Sequence, residues 1–181
     1  MGPVRKPRMT VDEFLAWSQT VPGRHELVAG EVVAMAPERV RHAITKFAVQ
    51  SALHRALGRL DGSCRMLPDG VTVRIDEQTA FEPDALVSCG AILNLDAIEA
   101  PNPVIVVEVL SPGTRSVDKG KKLSGYFQVA SIAHYLLVDP VNRSVTHYRR
   151  DGEQIASAIM GQGTLDLDPP GITVPVADLF G

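Results

Sequence analysis

Residues 103–126 read PVIVVEVLSPGTRSVDKGKKLSGY. Val104, Ile105, Val106, Val107, Val109 and Leu110 make an apolar, mostly β-branched run, the pattern of a strand buried on both faces of a sheet. Glu108 interrupts it. An isolated charge is expensive to bury unless it is paired, protonated or bound to metal, so Glu108 calls for a partner. Ser111, Pro112 and Gly113 turn the chain. A helix over 116–130 follows, capped by Thr114 or Ser116 and carrying Lys119, Lys121 and Lys122 in its first turns. A buried strand with a carboxylate near its end, followed by a lysine-bearing helix, is the outline of a site. A glutamate at a solvated strand end, paired to a nearby lysine, explains the same residues equally well.

Upstream, Thr10 caps a short helix ending at Trp17, with Val11, Phe14 and Leu15 on one face, and Thr10 with Glu13 fits a capping box. HELVAGEVVAMA, residues 25–36, reads as a hairpin about Ala29-Gly30 that carries Glu26 and Glu31. Residues 38–60 are helical in pattern. Ile44, Phe47, Ala48, Ser51, Ala52, Leu53, Ala56, Leu57 and Leu60 mark one broad face, arginines and Lys46 mark the rest, and His42 falls in the first turn. Strands are expected over 64–67, 71–75 and 82–87, the last containing Asp84 in EPDALV. Beyond the lysine helix come a strand over 133–138, an antiparallel pair over 144–149 and 154–159, strands near 164–167 and 172–174, and a closing turn over 176–180. The order helix, strand, strand, strand, helix, strand, with a hairpin before and strands after, makes an α/β protein with a mixed sheet flanked by helices.

The 181 residues suit a single domain, 1–181, with a core over about 10–149 and C-terminal strands over 150–181. An apolar fraction of 45% with 22% charged residues argues against disorder. No run is long enough to span a membrane, and MGPVRKPRMT has no apolar signal core. Cys64 and Cys89 show no metal-ligand spacing and read as reduced thiols of a cytoplasmic protein. With a net charge of −3, any affinity for nucleic acid has to come from a local basic patch.

Asp84 and Glu108 stand on strands that the intervening connection can bring side by side. Two hard oxygen ligands suit Mg²⁺, an ion that polarises a phosphoryl oxygen and acidifies water. A neighbouring lysine can stabilise charge on a phosphate.

Pro83-Asp84 followed by Glu108 on the next strand resembles the PD-(D/E)xK nuclease superfamily. HELVAGEVVAMAP, His42, EPDALV, VVEVLSPGT, DKGKKLSGY and HYLLVDP are together similar to the Uma family of restriction endonucleases, over residues 10–149. The resemblance implies a restriction-endonuclease-like core and a metal-dependent endonuclease acting on nucleic acid, with DNA favoured and Mg²⁺ or Mn²⁺ as cofactor. It implies Asp84, Glu108 and the carbonyl of Val109 as metal ligands. It sets Glu26 and His42 at the border of the pocket, with Ser111 able to orient a phosphate or water.

One departure matters. The superfamily places a lysine two residues after the glutamate, on the same strand face, and here that residue is Leu110. In the resembling family the lysine comes from the following helix. Lys122 lies four residues before Tyr126 and beside Leu123, on the edge of the inward stripe formed with Phe127 and Ala130. Lys119 ranks second, and Lys121 points away. A helix start crowded with cations is unfavourable with the helix dipole, which supports a site that uses the charge.

Residues 113–124 superficially suggest a phosphate cradle, but Arg115 and Lys122 stand where that motif needs glycine and Ser or Thr. A rival from another class is a catalytically inactive nuclease-like fold serving as a nucleic-acid-binding or regulatory module. Cutting both strands of a duplex is simplest for a symmetric homodimer.

Overall fold

The computed structural model describes residues 8–90, 94–111 and 118–181. Thr10 caps α1 (Val11–Ser18): its hydroxyl accepts from the Glu13 amide at 3.3 Å, and the Glu13 carboxylate accepts from the Thr10 amide at 2.8 Å. β1 (His25–Val28) and β2 (Glu31–Ala34) pair antiparallel about a turn in which Ala29 and Gly30 have φ of 50° and 81°. Positive φ at both central residues is the hairpin geometry whose twist matches the strands.

α2 (Val40–Leu57) follows, then β3 (Cys64–Pro68). β4 (Val73–Arg74) and β5 (Ala80–Phe81) extend the hairpin into a small sheet ordered β2-β1-β5-β4. The strand expected over 71–75 is therefore shorter and belongs to this sheet. Thr72 instead bonds the backbone of Ile98 and Ala100, and Ile75 closes a turn onto Thr79.

The main sheet has six strands. β6 (Ala85–Cys89), β7 (Pro103–Val109), β8 (His134–Asp139), β9 (Ser144–Asp151) and β10 (Gln154–Met160) join β3 in the order β10-β9-β8-β7-β6-β3. β7 and β8 are parallel and the remaining pairs antiparallel. α3 (Asp118–Tyr126) lies between β7 and β8 in sequence. α2, β3, β6, β7, α3 and β8 thus realise the expected order in a mixed α+β architecture. α3 ends earlier than the expected 116–130, and its expected start lies outside the described residues.

β7 is interior to the sheet and covered on both sides, which is why its residues are β-branched. Ile105, Val107 and Val109 pack with Val49, Leu53 and Leu57 of α2 and with the terminal hairpin of β11 (Thr164–Leu167) and β12 (Ile172–Pro175). A 3₁₀ turn, Val176–Leu179, closes the chain. Val106 and Leu110 pack on the opposite face with Phe81, Tyr126, Tyr135 and Leu137. Alternation along the strand puts Glu108 on the face that α3 covers.

Two expectations are corrected. The broad apolar face of α2 is two faces: Val49, Ala52, Leu53 and Ala56 point inward, while Ile44 and Phe47 are 56% and 71% exposed. At 100° per residue, positions 44 and 47 lie nearly opposite position 49. Cys64 and Cys89 are not reduced thiols but a disulfide, with their Cα atoms 4.1 Å apart. The antiparallel register of β3 and β6 sets the two cysteines directly opposite each other, a proximity their sequence spacing hides. The two cysteines therefore give no indication of a reducing compartment. No helix among the described residues is long and apolar enough to cross a membrane.

Candidate active site

Asp84 precedes β6 directly and Glu108 is near the end of β7. Because these strands run antiparallel, with Ala85 opposite Val107, both carboxylates come to one end of the sheet. The Asp84 amide donates to the Val107 carbonyl at 3.0 Å. Its carboxylate Oδ2 accepts from the Val109 amide at 2.7 Å, and Gln50 of α2 holds its carbonyl at 2.9 Å.

Lys122 reaches this end from α3. Its Nζ donates to Glu26 Oε1 at 2.8 Å and to Glu108 Oε1 at 2.9 Å, and the residue is only 6% exposed. Lys121 is exposed, and the side chain of Lys119 lies outside what is described. Leu110, where the superfamily lysine would stand, is buried and bonded through its amide to Val138. The helix therefore delivers the cation from across the face that Glu108 occupies.

Glu26 comes from β1 of the small sheet. It anchors Lys122 and also accepts from the Glu82 amide at 2.9 Å. His42 enters from the first turn of α2; its Nε2 donates to the Val109 carbonyl at 3.0 Å and lies 3.3 Å from Asp84 Oδ2. Ser111 lines the cavity just past β7. The cavity, about 460 Å³, is bordered by Glu26, His42, Asp84, Glu108 and Lys122.

Three groups escaped the sequence reading. Tyr126, one turn beyond Lys122, donates its hydroxyl to Glu108 Oε1 at 2.6 Å from a fully buried position. Its spacing from Lys122 was visible, but the residue read only as part of an apolar stripe. Glu38, four residues before His42, approaches the imidazole Nδ1 with Oε2 at 3.8 Å. Arg24 pairs with Glu82 at 2.5 Å and with Asp69 at 2.8 Å, beside Lys46, which pairs with Glu38 and with Asp69 at 3.0 Å. Nothing in the sequence linked these distant charges.

The electrostatics follow from crowding. Burial pushes the Glu108 carboxyl up to about 7; the Lys122 ammonium opposes this, while the negative charges of Asp84 and Glu26 add to it. Burial alone would lower Lys122, but Glu108 and Glu26 outweigh it and hold the amine well above its ordinary range, firmly charged. Tyr126 is pushed up by burial and by Glu108 and so stays a hydroxyl donor. The bond to Asp84 raises His42, against the lowering effect of burial.

Two carboxylates, Glu26 and Glu108, share one ammonium, and Asp84 adds a third negative charge beside Glu108. That surplus of negative charge on hard oxygen atoms, with the Val109 carbonyl linked to Asp84 through the His42 ring, is a donor set that a divalent cation fits. Asp84, Glu108 and the Val109 carbonyl are the ligands that the family resemblance implies for one. Among the described residues, the side-chain ligand atoms that lie within 4.8 Å of one another are those of Glu38, His42 and Asp84.

A mixed sheet that gathers acids from adjacent strands and a lysine from the next helix is the restriction-endonuclease-like class of fold. Residues 11–177 match the family model Uma2, described as "Putative restriction endonuclease", and the chain belongs to that family. Two uncharacterized proteins of Synechocystis sp. are similar to it. One is 25% identical over 177 residues, covering 96% of this chain and 92% of its own; the other is 24% identical over 159 residues, covering 85% and 89%. The crystal structure of a "putative nuclease belonging to DUF820" from Anabaena variabilis superposes with a TM-score of 0.73 at 16% identity. It covers 95% of this chain and 97% of its own, a likeness of fold.

Proposed function

We propose that this protein is a metal-dependent endonuclease that hydrolyses phosphodiester bonds of nucleic acid, DNA before RNA, with Mg²⁺ or Mn²⁺. The observation that carries the reading is Lys122 Nζ, buried and 2.9 Å from Glu108, in the cavity that Asp84 also borders. In this reading Asp84, Glu108 and the Val109 carbonyl hold the ion, which supplies Lewis-acid polarisation of the phosphoryl oxygen and a more acidic water.

The protein's own groups divide the remaining work. Lys122, kept charged by its two acids, cannot take a proton and acts as a fixed positive charge on the scissile phosphate. Glu26 also holds the ammonium, at 2.8 Å, so Lys122 would keep an anchor if Glu108 ligated the ion. Tyr126 restrains Glu108 by its 2.6 Å hydrogen bond, and Ser111 stands where it can orient a phosphate oxygen.

The test is direct. Supercoiled, linear duplex and single-stranded DNA, and RNA, are incubated with the protein and Mg²⁺ or Mn²⁺. Cleavage should appear in at least one DNA substrate and vanish with EDTA and in Asp84→Asn. Cleavage that survives in Asp84→Asn refutes the assignment.

A further inference from the structure

His42 Nε2 lies 3.0 Å from the Val109 carbonyl oxygen and 3.3 Å from Asp84 Oδ2, two of the oxygens assigned above to the ion. Neighbouring ligands of one octahedral ion, with bonds of about 2.1 Å, stand about 3 Å apart. The imidazole nitrogen is thus spaced from both oxygens as a third ligand would be. The ligating atoms of Glu38, His42 and Asp84 all fall within 4.8 Å of one another.

The second ring nitrogen supports the same reading. His42 Nδ1 is buried with no hydrogen-bond partner, and Glu38 Oε2 faces it at 3.8 Å. Glu38 is itself positioned by Arg24, at 3.1 Å, and by Lys46. A ligating histidine characteristically offers one nitrogen to the metal and gives its other N–H to a carboxylate, which fixes tautomer and ring orientation. Without an ion Nε2 carries the proton that it donates to the Val109 carbonyl. With an ion bound the proton would sit on Nδ1, toward Glu38, and free the Nε2 lone pair for the seat shared with Asp84 and Val109.

We infer that His42 is a metal ligand through Nε2, oriented by Glu38, and that the centre is a mixed nitrogen–oxygen site selecting a divalent transition ion over Mg²⁺. The inference rests on the proposal that Asp84 and Glu108 hold an ion, and it changes which ion. Imidazole suits first-row transition metals, whereas Mg²⁺ keeps to carboxylate, carbonyl and water. Glu38 acts as a positioning residue, since it approaches the nitrogen turned away from Asp84.

The probe is Mn²⁺ alone, added to the full chain and read by pulsed electron paramagnetic resonance and by calorimetry. The wild-type protein should show ¹⁴N coupling to the bound Mn²⁺. His42→Ala should lose that coupling and bind Mn²⁺ at least about 10-fold more weakly, with Mg²⁺ affinity changed less. Glu38→Ala should keep the nitrogen signal with weakened binding. The wild-type spectrum needs no variant, so a folding defect in His42→Ala leaves the test intact. Mn²⁺ bound in an Asp84-dependent way without nitrogen coupling overturns this inference and spares the proposed centre. Mn²⁺ binding indifferent to Asp84→Asn and Glu108→Gln, or no binding at all, overturns both.

Discussion

Glu108 shares its surroundings with two other carboxylates and one ammonium, and substitutions there separate charge from shape. Asp84→Asn and Glu108→Gln keep the side-chain outline and remove an anionic ligand. Both should weaken Mn²⁺ binding and abolish cleavage while the circular dichroism spectrum stays native. Lys122→Ala should spare metal binding but slow cleavage by roughly 10²-fold or more, the usual scale for one electrostatic or acid–base group. Lys121→Ala, on the exposed side of the helix, should do little. Calorimetric metal titration beside cleavage rates for the four variants decides the roles; a crippled Lys121→Ala would reverse them. That Lys122 faces inward could be read from helical periodicity because the helix has one inward stripe. Tyr126 could not, since a tyrosine in a stripe declares its ring to the core and gives no sign of what its hydroxyl meets. Periodicity reports which face is buried; it is silent about polar partners that arrive from other elements, as Glu26 and Glu38 do.

The elements carry two further tests, and both lie in contacts that no local pattern announces. Gly125 of α3 has the Phe81 ring so near that an added Cβ would fall 2.7 Å from Phe81 Cε2. Phe81 is buried and lies edge-on to Tyr126 with centroids 5.4 Å apart, so it has no room to yield. Gly125→Ala should cost about 1–3 kcal/mol by overpacking and move α3, with Lys122 and Tyr126, off the sheet. Gly120→Ala, where an added Cβ meets nothing within 4 Å, should stabilise by roughly 0.5–1 kcal/mol through helix propensity. Melting curves and cleavage rates for the pair should diverge; equal melting temperatures would show that the close approach is not real. On β8 and β9, His134 Nδ1 and His147 Nε2 are 2.9 Å apart, so one must donate and the other accept. Burial first, then His134 and Arg149, lowers His147 from 6.5 to about 4, and burial also lowers His134. Between those values the unfolded chain binds more protons than the folded one, so the associated stability is present above about pH 6.5 and is lost as pH falls toward about 4. Discounted for the exposed side of His147, the loss is about 1–2 kcal/mol. His147→Gln should flatten that acid limb in denaturation curves taken from pH 4 to 7, and parallel limbs would refute the linkage. Most strands, the hairpin and the Thr10 cap were legible because alternation and turn residues are local. The second face of α2 and the Cys64–Cys89 bridge were not, because rotation about a helix and register across a sheet are fixed by tertiary packing.

At the scale of the whole molecule, a protein of net charge −3 has to meet a polyanion through a restricted surface. Arg39 borders the main cavity, and Arg41 joins it around a smaller one that shares His42 and Ser111. Lys121 is exposed on α3 nearby in sequence to Lys122. Arg55, another arginine of α2, lies about four turns beyond Arg41 and pairs with Asp178 at 3.4 Å, so it belongs to the other end of the helix. Arg115 lies outside the described residues. Glu38 at the rim is paired with Lys46 and Arg24, but these two cations also serve Asp69 and Glu82, so Arg39 and Arg41 have to attract phosphate against an acidic cluster beside them. Three phosphate contacts would give a slope of about −3 in log K against log salt, and a loss of about 40-fold in affinity between 50 and 200 mM salt. The measurement is fluorescence anisotropy of a labelled duplex in EDTA, where no strand is cut. Arg39→Ala with Arg41→Ala should reduce the slope by about two, since each arginine removed leaves one more counterion in place. The sign of the effect separates this surface from an adventitious one: a double variant that binds more weakly with an unchanged slope has lost packing, not phosphate contacts, and salt-independent binding by the native chain would exclude nucleic acid as the partner of this face.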